Sequence, residues 1–383
     1  MSIPRRRYNF RAAKRRGGEG MKKVRVGLVG SGFVAEIHVE AFKRVAAAEV
    51  IAVASPTEEH VKSFAQRHNI PHWFTDYRKM LEMDELDMIV IGAPNYVHAQ
   101  IAIDAANAGK HVVCEKPLCM NLKEADAMIE ACRKAGVKLM YAEELCFAPK
   151  YVRLKQLMDE GAFGKVYHIK QSEKHDGPHS PWFWDVELSG GGVTMDMGCH
   201  AIQFFRWMLG GNPKPLSVYA EMDTYVHKDK TRGDDNSLVI INFETDWGVV
   251  TCLAEESWAK KGGMDDKAEV YGSDGVAYAD LLRGISIVTY SEKGYSYAVE
   301  KASRTVGWSF TIYEEAWNYG FPQEMEHFVD CVLNDKEPLV TGEDGRAVLE
   351  IIFAAYQSAG TGQKVEFPFT TDAEKPIDLW KRS

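Results

Sequence analysis

The chain has 383 residues, 45% of them apolar and 26% charged, which is ordinary for a globular protein and too long for one compact core, so two domains are expected. Seven basic residues and one acid give residues 1–20 a charge of +6, so the overall −9 leaves −15 on the remainder. An acidic body excludes nucleic acid as the main partner, and no apolar run reaches the roughly 18 residues that a membrane span needs.

The basic head, "MSIPRRRYNFRAAKRRGGEG", lacks the apolar stretch that a twin-arginine export signal requires. Residues 1–21 are expected to be a disordered tail, or to precede a natural start at Met21. The seven cysteines, at 114, 119, 132, 146, 199, 252 and 331, are odd in number and form no CxxC pair. Reduced thiols in the cytoplasm fit that pattern better than disulfides or zinc.

From Val24 the chain alternates between strand and helix. "VRVGLVG" reads as a strand and "FVAEIHVEAFKRV" as a helix. "VIAVAS", "MIVIGAP", "HVVCE" and "KLMYA" continue as strands, with "TEEHVKSFAQRH", "HAQIAIDAANAG" and "NLKEADAMIEACRKAG" as helices between them. Such alternation predicts a doubly wound parallel sheet over residues 22–145. The first turn, Gly30-Ser31-Gly32-Phe33-Val34-Ala35, is GxGxxA, the dinucleotide-binding turn of a Rossmann domain. Gly30 permits the turn and Gly32 lets the backbone approach a pyrophosphate, so Gly30, Gly32, Phe33 and Val34 should face the cofactor. The ribose-reading acid at the end of the second strand has become Ser55, with Glu58 and Glu59 close behind and no basic residue in its place. NAD is therefore preferred to NADP.

Ligands of such sheets sit beyond the carboxyl ends of the strands. Glu115-Lys116-Pro117 follows the fifth strand, so Lys116 should project into that crevice; Pro94, Asn95 and His98 share its rim. Further on, "SGGGVTMDMGCHAIQFFRWMLGG" reads as one helix from about Val193 to Leu209. Asp196 and His200 then share a face, where the carboxylate could orient the ring and favour its charged form.

GxGxxA, Pro-Asn-x-x-His, Glu-Lys-Pro and a glycine-rich stretch with Asp-x-x-x-His occur here in the order found in the Gfo/Idh/MocA oxidoreductases, which the chain resembles from about Lys22 to Phe369. The resemblance implies hydride transfer between a nicotinamide and a secondary hydroxyl of a sugar, glycoside or polyol. It makes Lys116 the residue that contacts and relays from the reacting hydroxyl. Asp196 and His200 become the acid and the imidazole base, and Lys116–Pro117 a cis peptide that aims the lysine. It also implies a homo-oligomer, dimeric, tetrameric or larger. The chain departs from the family at "EELCFAP", where Glu144 and Cys146 replace an Asn and an Arg.

Within the expected second domain, residues 146–370, the stretch 165–370 alternates in strand fashion ("KVYHIKQSEK", "LSVYAEMDTYV", "SLVIINFET", "GVVTCLAEES") with few helices after the Asp196 segment. An α+β domain with an open, mostly antiparallel sheet is expected, serving substrate binding and oligomerisation, then a tail over 371–383. The loop "HDGPHSPWFWDVE" offers Trp182, Phe183 and Trp184, and "GWSFTIYEEAWNYGF" adds Trp308, Tyr313, Trp317 and Tyr319. Aromatic faces beside polar groups suit a sugar ring, with Trp182 and His175 the first choices for substrate contact. So many aromatics favour a glycoside over free inositol, oxidised at the ring C3 hydroxyl. His175, Asp176, His179 and Asp185 match no standard metal spacing, so no metal is expected. Two other readings are an NAD-dependent glycosidase acting by transient oxidation and elimination, whose Thr-His-Gly pattern is missing here, and a non-catalytic dinucleotide-binding regulator.

Overall fold

The computed structural model describes residues 22–210, 212–282, 286–291, 307–312 and 315–380. The expected tail over residues 1–21 lies outside them, as does Tyr313.

The first domain follows the sequence pattern closely. Strands β1 (Val24–Val29), β2 (Ala48–Ala54), β3 (His72–Phe74), β4 (Met88–Ile91), β5 (His111–Cys114) and β6 (Leu139–Tyr141) form one parallel sheet in the order β3-β2-β1-β4-β5-β6. The connecting helices are α1 (Phe33–Phe42), α2 (Glu58–His68), α3 (Tyr77–Leu81), α4 (His98–Asn107) and α5 (Leu122–Ala135). Central strands are apolar throughout because both faces are covered: all four residues of β4 are buried. Helix ends carry their own signals. Asn121 accepts from the Glu124 amide at the start of α5, and Gly136 ends that helix in the left-handed region.

The second domain opens with α6 (Pro149–Asp159) and β7 (Val166–Lys174). Three short helices follow: α7 (Val186–Ser189), α8 (Val193–Asp196) and α9 (Gly198–Leu209). Then come β8 (Lys214–Asp223), β9 (Asn236–Thr245), β10 (Gly248–Ser257), β11 (Asp265–Gly272) and β12 (Val276–Asp280). With a later strand, β15 (Val365–Glu366), these make a sheet in the order β12-β11-β7-β10-β9-β8-β15. Only β7 and β10 pair in parallel, so the sheet is mostly antiparallel as expected. Residues of β10 alternate between core and surface: Val250, Cys252 and Ala254 are buried, whereas Val249 is 56% exposed. A separate hairpin pairs β13 (Ser286–Ser291) with β14 (Gly307–Ile312), the strand that carries Trp308.

Three features correct the sequence-based outline. The helix expected over Val193–Leu209 is broken at Met197 into α8 and α9. The late part of the chain is more helical than expected, with α10 (Glu315–Tyr319), α11 (Phe321–Leu333) and α12 (Gly342–Thr361). The last two cross the expected boundary at 145: α11 packs on α1 and α12 on α5 as well as on β8 and α9. The backbone joins in, since the Tyr141 amide donates to the Val340 carbonyl at 3.2 Å. Finally, residues 371–380 are no loose tail. Ile377 is buried and its amide donates to the Gly190 carbonyl, while Asn121 donates to the carbonyl of Glu374. Buried Pro376 and Ile377, with these hydrogen bonds, anchor the segment to the rest of the fold.

Candidate active site

A cleft of about 1140 Å³ runs along the carboxyl ends of the first sheet and is closed on its far side by the second domain. Its first half is backbone-lined. Gly30 has φ +120°, and a Cβ there would stand 2.2 Å from the Gly92 carbonyl oxygen, so the turn admits only glycine. At Gly32 a Cβ would meet nothing within 4 Å: this is open space at the start of α1, whose first turn has no side-chain cap. Unspent amides facing open space suit a pyrophosphate. Ser55 lies just past β2 and accepts from the Ser31 hydroxyl at 3.0 Å. Arg78 reaches the same end, but Asp76 and Asp104 stand 3.7 and 3.5 Å from it. Its charge is already met, which favours NAD over a 2′-phosphorylated cofactor.

The second half is built from side chains. The Lys116–Pro117 peptide is cis. Lys116 Nζ donates to Asp196 Oδ1 at 3.0 Å and to the Asp196 carbonyl at 2.9 Å. Trp258 Nε1 donates to the other carboxylate oxygen at 3.1 Å. Burial pulls the Lys116 ammonium down, but Asp196 and then neighbouring acidic groups hold it well above the ordinary lysine value. Burial pushes Asp196 up, and the Lys116 charge overrides this to hold its carboxyl well below the usual range. The pair is therefore ionised from acid to alkaline pH.

His200 stands on α9, past the break, and is oriented by a residue that the sequence reading did not choose. Its Nδ1 is 2.5 Å from Glu143 Oε1, and both groups are buried. Asp196, at the end of α8, turns instead to Lys116 and Trp258, so the expected Asp196–His200 unit does not form. Burial holds the His200 ring below its ordinary value of 6.5, so it is neutral near pH 7, as the base role requires. With Nδ1 spent on Glu143, Nε2 is the nitrogen left for a ligand.

Every first choice from the sequence for cofactor, catalysis or substrate lines this cleft except His98. His98 is fully buried, its ring nitrogens 3.0 and 2.7 Å from the carbonyls of Pro117 and Ala93. It braces the Lys116 loop from behind rather than touching ligand. Asn95 spends its amide on the Ser189 carbonyl at 2.9 Å, and Glu115 spends Oε1 on His38 Nε2 at 2.6 Å. Trp182 lines the cleft and stacks on Phe183 with centroids 3.8 Å apart, and buried His175 lines it too. Tyr319 lines it too, whereas Trp317 and Trp184 do not. Across the glycine turn, His179 stacks on Phe33 at 4.6 Å. Asp176 pairs with Lys261 and Asp185 caps α7, so the four His and Asp residues of that loop do not converge. Among the described residues, three donors that could hold a metal come together elsewhere, at Glu143, Cys199 and His200.

Residues 24–143 match the oxidoreductase family with an NAD-binding Rossmann fold, and residues 151–278 match the GFO/IDH/MocA C-terminal domain. The chain belongs to the Gfo/Idh/MocA oxidoreductases. Among solved structures, GenD2 from gentamicin A biosynthesis in complex with NAD is 29% identical, with TM-score 0.85 over 94% of this chain and 100% of that one. The myo-inositol 2-dehydrogenase of Thermotoga maritima is 27% identical over 88% of this chain and 96% of its own. The NAD(+)-dependent scyllo-inositol 2-dehydrogenase of Bacillus subtilis is 27% identical over 90% and 96%. The family's cofactor is NAD, and the open, uncapped turn at Gly32 fits it.

Proposed function

We propose that the protein oxidises a secondary hydroxyl of a sugar, glycoside or polyol, with the C3 hydroxyl of a glucoside as the first candidate. The observation that carries this reading is the placement of a charged lysine, its buried counter-ion and a neutral imidazole in one cleft that aromatic Trp182 also lines. NAD, when bound along the glycine turn, supplies the hydride acceptor. Lys116 donates to the substrate oxygen and stabilises the negative charge that develops there. His200 takes the hydroxyl proton through Nε2 while Glu143 keeps the ring in place. Asp196 keeps Lys116 charged. A lysine and a carboxylate 3.0 Å apart leave the non-catalytic regulator without support. The seven cysteines, all buried and unpaired, favour the cytoplasm.

The test is reduction of NAD, and separately of NADP, against polyols, free sugars and aryl glucosides. Reduction of NAD by one of these classes is the expected outcome. No reduction by any class, with nicotinamide released on denaturation and glycosidic bonds cleaved, would transfer the case to the NAD-dependent glycosidase.

The outer face of the second sheet exposes Leu238, Ile240, Val249, Val276 and Tyr278. We propose that it pairs with the same face of another copy, since an apolar sheet face of this kind marks a contact surface. Light scattering should give a mass above that of one chain, and Ile240→Lys should lower it. A wild-type monomer at micromolar concentration rejects this.

A further inference from the structure

Three carboxyl groups stand side by side on the inner face of the second sheet. Glu256 of β10, Glu173 of β7 and Asp266 of β11 are direct register partners on adjacent strands, and all are buried. Opposed side chains on a sheet lie about 5 Å apart at Cβ, where like charges repel. Asp266 is covered by the Tyr151 hydroxyl at 2.6 Å and by Gln171 at 3.4 Å. The other two have no such cover: Glu173 Oε2 and both oxygens of Glu256 are buried without a protein partner. Glu173, in the middle of the row, lines the cleft.

A fourth acid, Glu144, lines the same cleft on the turn after β6 and is itself buried. Its nearest basic neighbour is His200 Nδ1, at 3.8 Å, on a ring that is neutral near pH 7. Lys116 offsets these acids only in part: its charge pulls both down, but burial outweighs it, and its ammonium is bonded to Asp196. Burial first, and then neighbouring carboxylates, push Glu173 well above the ordinary glutamate value; Glu144 is pushed up to about 8. Hydride transfer uses none of this, and apolar side chains at these positions would fold at lower cost. The arrangement gains a use when the ligand itself brings the missing positive charge.

We propose that Glu144 and Glu173 form a subsite for an ammonium group, so that the alcohol oxidised here belongs to an amino sugar or aminocyclitol. The inference rests on the dehydrogenase reading above and narrows its substrate. Burial keeps both protonated near neutral pH; a ligand's ammonium between them lets them ionise, and each carboxylate can then accept a charge-assisted hydrogen bond from it. A neutral sugar offers hydroxyls to the same oxygens but brings no charge with which to ionise them.

Calorimetric titration of the NADH-loaded enzyme tests this with methyl glucoside, its amino-deoxy analogues and the N-acetyl derivative of each. At neutral pH at least one amine should bind about tenfold or more tighter than the parent glucoside, as one charge-assisted hydrogen bond allows. Acetylation of that amine should abolish the advantage, and Glu173→Gln should reduce it to about threefold or less, the residue of a single remaining carboxylate. Amines that bind no better than the parent, or an advantage that survives acetylation, overturn the subsite. The acetyl comparison needs no variant, so a Glu173→Gln protein that fails to fold does not block the test. Turnover separates the two readings. Tight amine binding without reduction of NAD on any glycoside sinks the dehydrogenase and leaves the subsite standing. Turnover of neutral glycosides without preference for amines does the reverse.

Discussion

Replacing Lys116 by alanine should lower kcat/KM for NAD reduction by about a thousandfold, the scale set by removing one preorganised donor to a developing oxyanion. Two effects add. The substrate oxygen loses its cationic partner, and buried Asp196 loses its counter-ion, keeping only Trp258 Nε1. Steady-state kinetics with a melting curve separates them, because the second effect appears as lost stability of about 3 kcal/mol. Asp196→Asn probes the same contact from the other side. Without that carboxylate, burial is left to dominate Lys116 and pulls its pKa down. A lysine that must be charged to donate then loses activity as pH rises through the lowered value. The wild type, held well above 10.5, should show no such limb at mildly alkaline pH. A Lys116→Ala enzyme with more than about a tenth of wild-type kcat/KM would remove the lysine from the chemistry, since that is under 1.4 kcal/mol of barrier.

His200→Ala should cost about 10²–10⁴ in kcat, the usual range for a general base, with a smaller change in KM. The pH dependence makes the test specific. Burial lowers the folded-state pKa of His200 below 6.5, so the base is free above that value and is lost only as pH falls through it. The wild-type acid limb should therefore lie below pH 6.5 and disappear in His200→Ala. Stability carries the same sign. The unfolded chain takes up this proton at higher pH than the folded one, so stability drains away on acidification below about 6.5. An acid limb unchanged in the variant assigns the base to another group.

The alternation of strands and helices was readable because each central strand of a parallel sheet is apolar on both faces and each helix shows its own period. Lys116, Asp196 and His200 were readable because a motif fixes them in order. The partners of those residues were not. Glu143 meets His200 across 57 positions and Trp258 meets Asp196 across 62, contacts set by tertiary register that leave no local spacing. Asp196 and His200 four apart were taken for one unit because the period was read through Met197, where φ opens to −113° and the helix is interrupted. His98 was placed on the rim by its motif, yet its ring is satisfied by two carbonyls in the interior. The acidic row Glu256–Glu173–Asp266 had no sequence signal, since its members become neighbours only when β10, β7 and β11 align.

The return of α11 and α12 to the first domain has a consequence for how the chain can be made. β6 carries its last backbone bond to Val340, and α1 and α5 find part of their cover only in residues 321–361. A nascent chain emerging from the ribosome therefore cannot complete its amino-terminal half when that half has been translated. It must wait, with apolar helix faces uncovered, until nearly the whole polypeptide is out. The two halves share cover across residue 145, so a fragment ending there should expose apolar faces of α1 and α5.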